Sequence, residues 1–91
     1  MAIAQYELAV FYSEGRVVQA DAETAARWYR RAADQGLAAA QHNLGHLYLE
    51  GRGVGRDPAA AIEWFRKAAK QGFAPAQLAL FMQGDLGAAD R

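Results

Sequence analysis

The sequence predicts an all-α protein, an α/α solenoid of antiparallel helix pairs with about two full repeats and a closing helix. The first observation behind this is self-similarity. Ala4-Gln5, Leu8, Tyr12, Glu14-Gly15-Arg16, Asp21, Ala25, Trp28, Ala32-Ala33 and Gln35-Gly36 return as Ala40-Gln41, Leu44, Tyr48, Glu50-Gly51-Arg52, Asp57, Ala61, Trp64, Ala68-Ala69 and Gln71-Gly72. The offset is about 36 residues, within the range where a repeat means stacked supersecondary units. The second observation is that apolar residues within each copy recur at helical spacing, with glycine where each stripe stops. The third is a further copy that opens with Ala76-Gln77 and Leu80 and reaches Gly87. One domain over 1–91 is expected, with repeats at about 4–39 and 40–75, a partial repeat at 76–87 and a tail over 84–91.

Each full copy reads as two helices. From Ala2 to Glu14 the apolar stripe is Ala4, Leu8, Ala9 and Tyr12, and Gly15 ends it. From Asp21 to Gln35 the stripe is Ala25, Trp28, Tyr29, Ala32 and Ala33, with Asp21 placed to cap the first turn and Gly36 to leave the last. The second copy carries stronger signals. Asp57-Pro58 is an N-cap followed by proline at the first helical position, where the missing N–H costs nothing. Ala61, Ile62, Phe65, Ala68 and Ala69 form the buried stripe, and Gly72 closes the helix. Glu23 with Arg27, and Glu63 with Lys67, stand at i,i+4 in the favoured order and mark a solvated face.

The glycine-rich stretch Gly51-Arg52-Gly53-Val54-Gly55 invites comparison with a phosphate-binding loop. It lies between two helices instead of after a strand, and it lacks the Gly-Lys-Ser/Thr ending of that motif. A nucleotide site is not expected.

The repeated pattern Ala-Gln-x-x-Leu, Tyr, Gly, Val, Asp, Ala, Trp-(Tyr/Phe), Ala-Ala and Gly, which holds register in both copies, resembles the Sel1-like repeat, a member of the tetratricopeptide-like superfamily. The resemblance covers nearly the whole chain. It implies a right-handed superhelix that scaffolds protein complexes, often in bacterial signalling, envelope or secretion systems, and it implies no catalysis. The third copy departs at Phe81, where the others have Ala9 and Gly45, and at Gly84, where they have Tyr12 and Tyr48. Those changes suit a closing helix in which Phe81 covers core. On this view Ala32-Ala33 and Ala68-Ala69 let helices approach closely, while Trp28, Trp64, Tyr12 and Tyr48 fill the gaps.

Composition narrows the function classes. Lys plus Arg and Asp plus Glu number 10 each, so no net field favours nucleic acid or an anionic membrane. There is no cysteine, which excludes disulfides and thiolate metal sites. No apolar run approaches the roughly 20 residues of a membrane span, so membrane insertion is not expected. A cytoplasmic location is the expectation, with a periplasmic or secreted one open if a signal peptide has been removed. Ser13 and Thr24 are the only serine and threonine, and neither has a histidine nearby in sequence to act as base. The acidic residues recur at repeat positions and offer no catalytic dyad. No enzyme activity and no cofactor are expected.

His42 and His46 are the sharpest nonrepeated feature. They stand at i and i+4 on one helix, so both imidazoles leave the same face, with Glu50 one turn further. Two readings stay open: exposed surface residues, or a metal-binding or assembly pair. Asn43 stands where a zinc protease would carry its glutamate, so catalytic zinc is not expected. As surface, the histidines belong to stripes running across the first helices: Tyr6, His42, Leu78 and Val10, His46, Met82, beside Glu7, Asn43 and Ala79. A concave solenoid face is an extended binding surface. The expected function is therefore noncatalytic binding of a peptide or partner protein, with Tyr6 and Val10 as apolar contacts, His42, Asn43 and His46 as polar readers, and Leu49 at the rim. A purely structural repeat fragment is the remaining alternative. The first helix lacks a cap and a polar neighbour, so self-association as a homodimer is also expected.

Overall fold

The computed structural model describes residues 2–14 and 22–83. It holds five helices among them: α1 (Ala2–Glu14), α2 (Ala22–Asp34), α3 (Ala38–Glu50), α4 (Pro58–Lys70) and α5 (Ala74–Met82). No strand occurs among the described residues. Helix α1 packs on α2 and α3 on α4 as pairs, and α2 on α3 and α4 on α5 join one pair to the next. The expectations placed on the Tyr12 side chain, Gly15, Asp21, Gly84 and Asp85 lie outside the described residues.

Local chemistry sets the helix ends. The Asp57 carboxylate accepts from the Ala60 N–H at 3.1 Å, and Pro58 follows in the first turn, so α4 starts as its sequence requires. At the other end, the Phe73 N–H bonds to Ala68 O and the Gly72 N–H to Ala69 O; Leu37 and Gly36 do the same with Ala32 and Ala33. These are paired bonds of the Schellman type, which need a residue in the left-handed region. Gly36 and Gly72 supply it, at φ 94° and 83°.

The repeated glutamines tie one copy to the next. Gln41 Nε2 donates to Ala33 O at 3.2 Å, and Gln77 Nε2 makes the same bond to Ala69 O at 3.3 Å. Gln71 Nε2 donates to Gln41 Oε1 at 3.0 Å, as Gln35 Nε2 does to Gln5 Oε1 one copy earlier. Gln41 is itself buried, and its amide gives the Ala33 carbonyl at the end of α2 a second donor beside the Gly36 N–H. The Ala-Gln pair is thus a junction device: the alanine lets the helices meet and the glutamine caps the helix it meets.

Two core clusters result. One gathers Ala9, Ala25, Ala26, Tyr29, Ala32, Ala33, Ala40, Leu44, Leu47 and Trp64, and the other Ala61, Phe65, Ala79 and Leu80. Trp64 is buried, with Lys67 Nζ 4.3 Å and Arg30 Cζ 5.4 Å from its ring. Trp28 is only half-buried, with Arg31 Cζ 5.0 Å from its ring. Gly53, at φ 74°, lies so close to α2 that a Cβ there would meet the Ala22 carbonyl oxygen. That close approach accounts for the glycine at position 53 of the loop.

Several expectations are corrected. Ala4 and Leu8 are exposed, Leu8 by 40%, whereas their counterparts Ala40 and Leu44 are buried. Helix α2 covers α3, and no described helix covers the same side of α1. Phe81 does not cover core: it is 66% exposed. Its counterpart Gly45 faces Phe65 of the following helix, and no described helix follows α5. Ile62 and Ala69 are only half-buried. The expected helix-face ion pairs are replaced by Arg30–Asp34 at 3.1 Å and Glu63–Arg66 at 3.9 Å, while Lys67 turns to the Trp64 ring.

Candidate functional site

Tyr6 and Val10 stand on α1; His42, Asn43, His46 and Leu49 stand on α3. All six are half-buried, so this is a packed surface and not a fringe of free side chains. Val10 packs against the first core cluster and Leu49 against the second. Leu49, expected at the rim, is half-buried against that second cluster.

The other four form one polar chain across the two repeats. Asn43 Nδ2 donates to Tyr6 Oη at 3.2 Å, Asn43 Oδ1 lies 3.3 Å from His42 Nδ1, and His42 Nε2 lies 3.1 Å from His46 Nε2. The roles follow from the donor inventory. With its amide nitrogen on Tyr6, Asn43 presents an acceptor to His42, so His42 carries its proton on Nδ1. His42 Nε2 then accepts, and His46 donates from Nε2.

Aromatic rings hold the chain in place. Tyr6 meets Tyr29 edge-on at 5.7 Å. The His42 ring lies 5.7 Å from Phe65 and 5.5 Å from Phe73, and His46 meets Phe65 edge-on at 5.1 Å. The histidines are thus half-buried, where plain exposed residues were one of the two expectations. Burial pushes the His42 imidazole below its ordinary value, the neighbouring His46 adds to the shift, and the hydrogen bond with Asn43 opposes it. The physical cause is that a cation here loses water and faces a second imidazole.

Helix α5 extends the face unevenly. Leu78 and Met82 are exposed by 59% and 72%, as the stripes require. Ala79, expected beside Asn43 on the surface, is buried in the second cluster. Glu50 does not join the histidines, since its carboxylate lies 3.6 Å from Arg52. Among the described residues no group of three or more His, Cys, Asp or Glu side chains gathers to hold a metal.

A second hollow was not anticipated. It has a volume of about 470 Å³ and lies between α2 and the α3–α4 loop, bordered by Glu23, Arg27, Arg30, Arg31, Tyr48 and Val54. The alternation of charge along α2 was legible only as a solvated face, because the loop that completes the hollow comes from the next repeat.

The comparisons agree with this architecture. The profile of the family described as Sel1 repeat matches residues 2–37 and again 38–73. No curated protein matches the chain significantly. Among solved structures, the chain is similar to a Sel1 repeat protein from Oxalobacter formigenes, with 41% identity and a TM-score of 0.87 over 91% of this chain and 24% of that one. It is similar to c5321, a protective antigen of uropathogenic Escherichia coli strains with an SLR fold, at 40% identity and a TM-score of 0.84 over 92% of this chain and 19% of that one. Similarity to cysteine rich protein B of Helicobacter pylori is lower, at 28% identity and a TM-score of 0.79 over 82% and 56%. The chain spans about a quarter or less of the first two proteins' length. With both repeats matched, the chain belongs to the Sel1 repeat family, part of the tetratricopeptide-like superfamily, whose fold serves as a scaffold for protein contacts.

Proposed function

We propose that the face built from α1, α3 and α5 binds an extended peptide segment of a partner protein. The observation that carries this is the chain Tyr6–Asn43–His42–His46, which holds polar groups in fixed orientation on helices that also carry the apolar Val10 and Leu49, beside α5 with Leu78 and Met82. Groups already held by ring packing lose little further freedom when a ligand arrives, which favours binding by a prearranged surface. Exposed Leu78 and Met82 supply the apolar area, and the Asn43 and histidine groups supply direction. The chain's zero net charge argues against nucleic acid as the partner. Selecting peptides from a random library on the immobilised protein tests the proposal. Leu78→Ser and Met82→Ser should each weaken the selected peptides at least tenfold with no change in melting temperature. Binding that survives both changes but is lost in Arg27→Glu would place the site in the α2 hollow instead.

The same proposal includes a homodimer through the uncovered side of α1. Ala4, Leu8 and Phe11 border a hollow there of about 410 Å³, while their counterparts Ala40, Leu44 and Leu47 are covered. An exposed counterpart of a buried surface favours a partner helix. Light scattering across a hundredfold dilution should show dissociation, and Leu8→Asp should give monomer throughout. A monomer at every concentration for the unaltered chain would contradict it.

A further inference from the structure

The two histidine Nε2 atoms lie 3.1 Å apart, on neighbouring turns of α3, with their ring centroids 4.6 Å apart and planes at 84°. A hydrogen bond accounts for that spacing, and so does one edge of a coordination polyhedron. Zinc–imidazole bonds of about 2.0–2.1 Å spanning this separation give an N–M–N angle of roughly 98°, between the octahedral and tetrahedral values. The spacing alone would be weak ground. The second observation is the orientation of His42: its Nδ1–H is held by Asn43 Oδ1 at 3.3 Å, and Asn43 is held in turn by Tyr6 at 3.2 Å. Metal-bound histidines ordinarily give their other ring N–H to such an acceptor, which fixes the tautomer and the ring. Here the acceptor is the next residue of α3, and Tyr6 of the other repeat holds it in place.

We propose that His42 and His46 chelate a divalent transition-metal ion through their Nε2 atoms, with water in the remaining positions. The ligand set selects the class of ion. Two neutral imidazoles suit zinc, cobalt, nickel or copper, whereas magnesium and calcium require oxygen ligands. On binding, His46 moves its proton from Nε2 to Nδ1, and the shared hydrogen bond is replaced by two metal–nitrogen bonds. Water has room beside His46, which borders a hollow of about 290 Å³ together with Tyr29, Asn43 and Glu50. With two protein ligands the site is an open one, and it stands whether or not the face also binds a peptide.

Calorimetric titration of the unaltered chain with zinc alone, in a buffer that does not chelate it, should give one ion per chain. His42→Gln and His46→Gln should each weaken it at least tenfold, and magnesium should give no heat. Asn43→Ala keeps both ligands and should still weaken zinc about tenfold, the low end of the range for lost supporting groups. Because both histidines pack on Phe65, either variant could lose its fold, so the unaltered chain is also read by nitrogen NMR of the imidazoles. Zinc should shift Nε2 of both residues and leave protons on both Nδ1 atoms. Affinity no tighter than about 1 mM, an Asn43→Ala variant that binds as well as the unaltered chain, or ligation through Nδ1 would overturn the proposal.

Discussion

A Cβ added to Gly45 would stand 2.6 Å from Cε1 of the Phe65 ring. Phe65 is fully buried and carries His42 and His46 against its ring, so one side chain serves both the α3–α4 contact and the candidate face. Gly45→Ala gains up to about 1 kcal/mol of helix propensity. Overpacking costs about 1–3 kcal/mol, and it should win because the ring has nowhere to move. A lowered urea midpoint, partly restored by adding Phe65→Leu, is the expected result.

The loop glycines separate in the same way. Gly53 combines φ 74° with the approach to Ala22 O, whereas a Cβ on Gly55 meets nothing within 4 Å. Gly53→Ala should destabilise by more than the roughly 1–2 kcal/mol of a left-handed residue, and Gly55→Ala should lie within about 0.5 kcal/mol of the unaltered chain. Thermal melts of the two variants compare them directly.

Truncating the junction tryptophan should cost far more than trimming the face. Trp64→Ala removes a buried ring and should destabilise by about 3–5 kcal/mol, with Trp28→Ala costing less because that ring is half-exposed. Leu78→Ala should change stability by no more than about 0.5 kcal/mol. Chemical denaturation of the three variants gives the order.

Acid should loosen the histidine chain. The folded state holds the His42 value below its ordinary 6.5, so the unfolded chain binds more protons as the pH falls through that range. Stability then rises with pH in the window. The His42 contribution is fully present above the unfolded value and is lost as the pH falls through the folded one. Melting temperature should therefore drop between about pH 7.5 and 5, and His42→Gln should flatten the drop. An equal drop in that variant would assign the effect to another group.

Repetition made the fold legible. Helix starts and stops are written locally, in Asp57-Pro58 and in Gly36 and Gly72, and a stripe seen twice at one offset is hard to misread. Burial was less legible, because it depends on neighbours. Leu8 and Leu44 occupy the same place in the repeat and differ by 39 percentage points in exposure (40% less 1%), since α3 has a preceding helix over it and α1, among the described helices, has none. Phe81 misled for the same reason. The six candidate residues could be placed on α1 and α3 from spacing, but the Asn43–Tyr6 bond that completes the polar chain runs between repeats and depends on how these stack. The junction role of Gln41 and the arginine-lined hollow beside α2 likewise arise only when two copies meet.

The most direct test of the peptide-binding face is a map of backbone amide shifts as a library-selected peptide is added to the labelled chain. The largest changes should fall on residues 6–10 of α1, 42–49 of α3 and 78–82 of α5, with α2 little affected and the affinity nearly independent of salt. Changes centred on Arg27, Arg30 and Arg31, with an affinity that falls steeply as salt is raised, would contradict it.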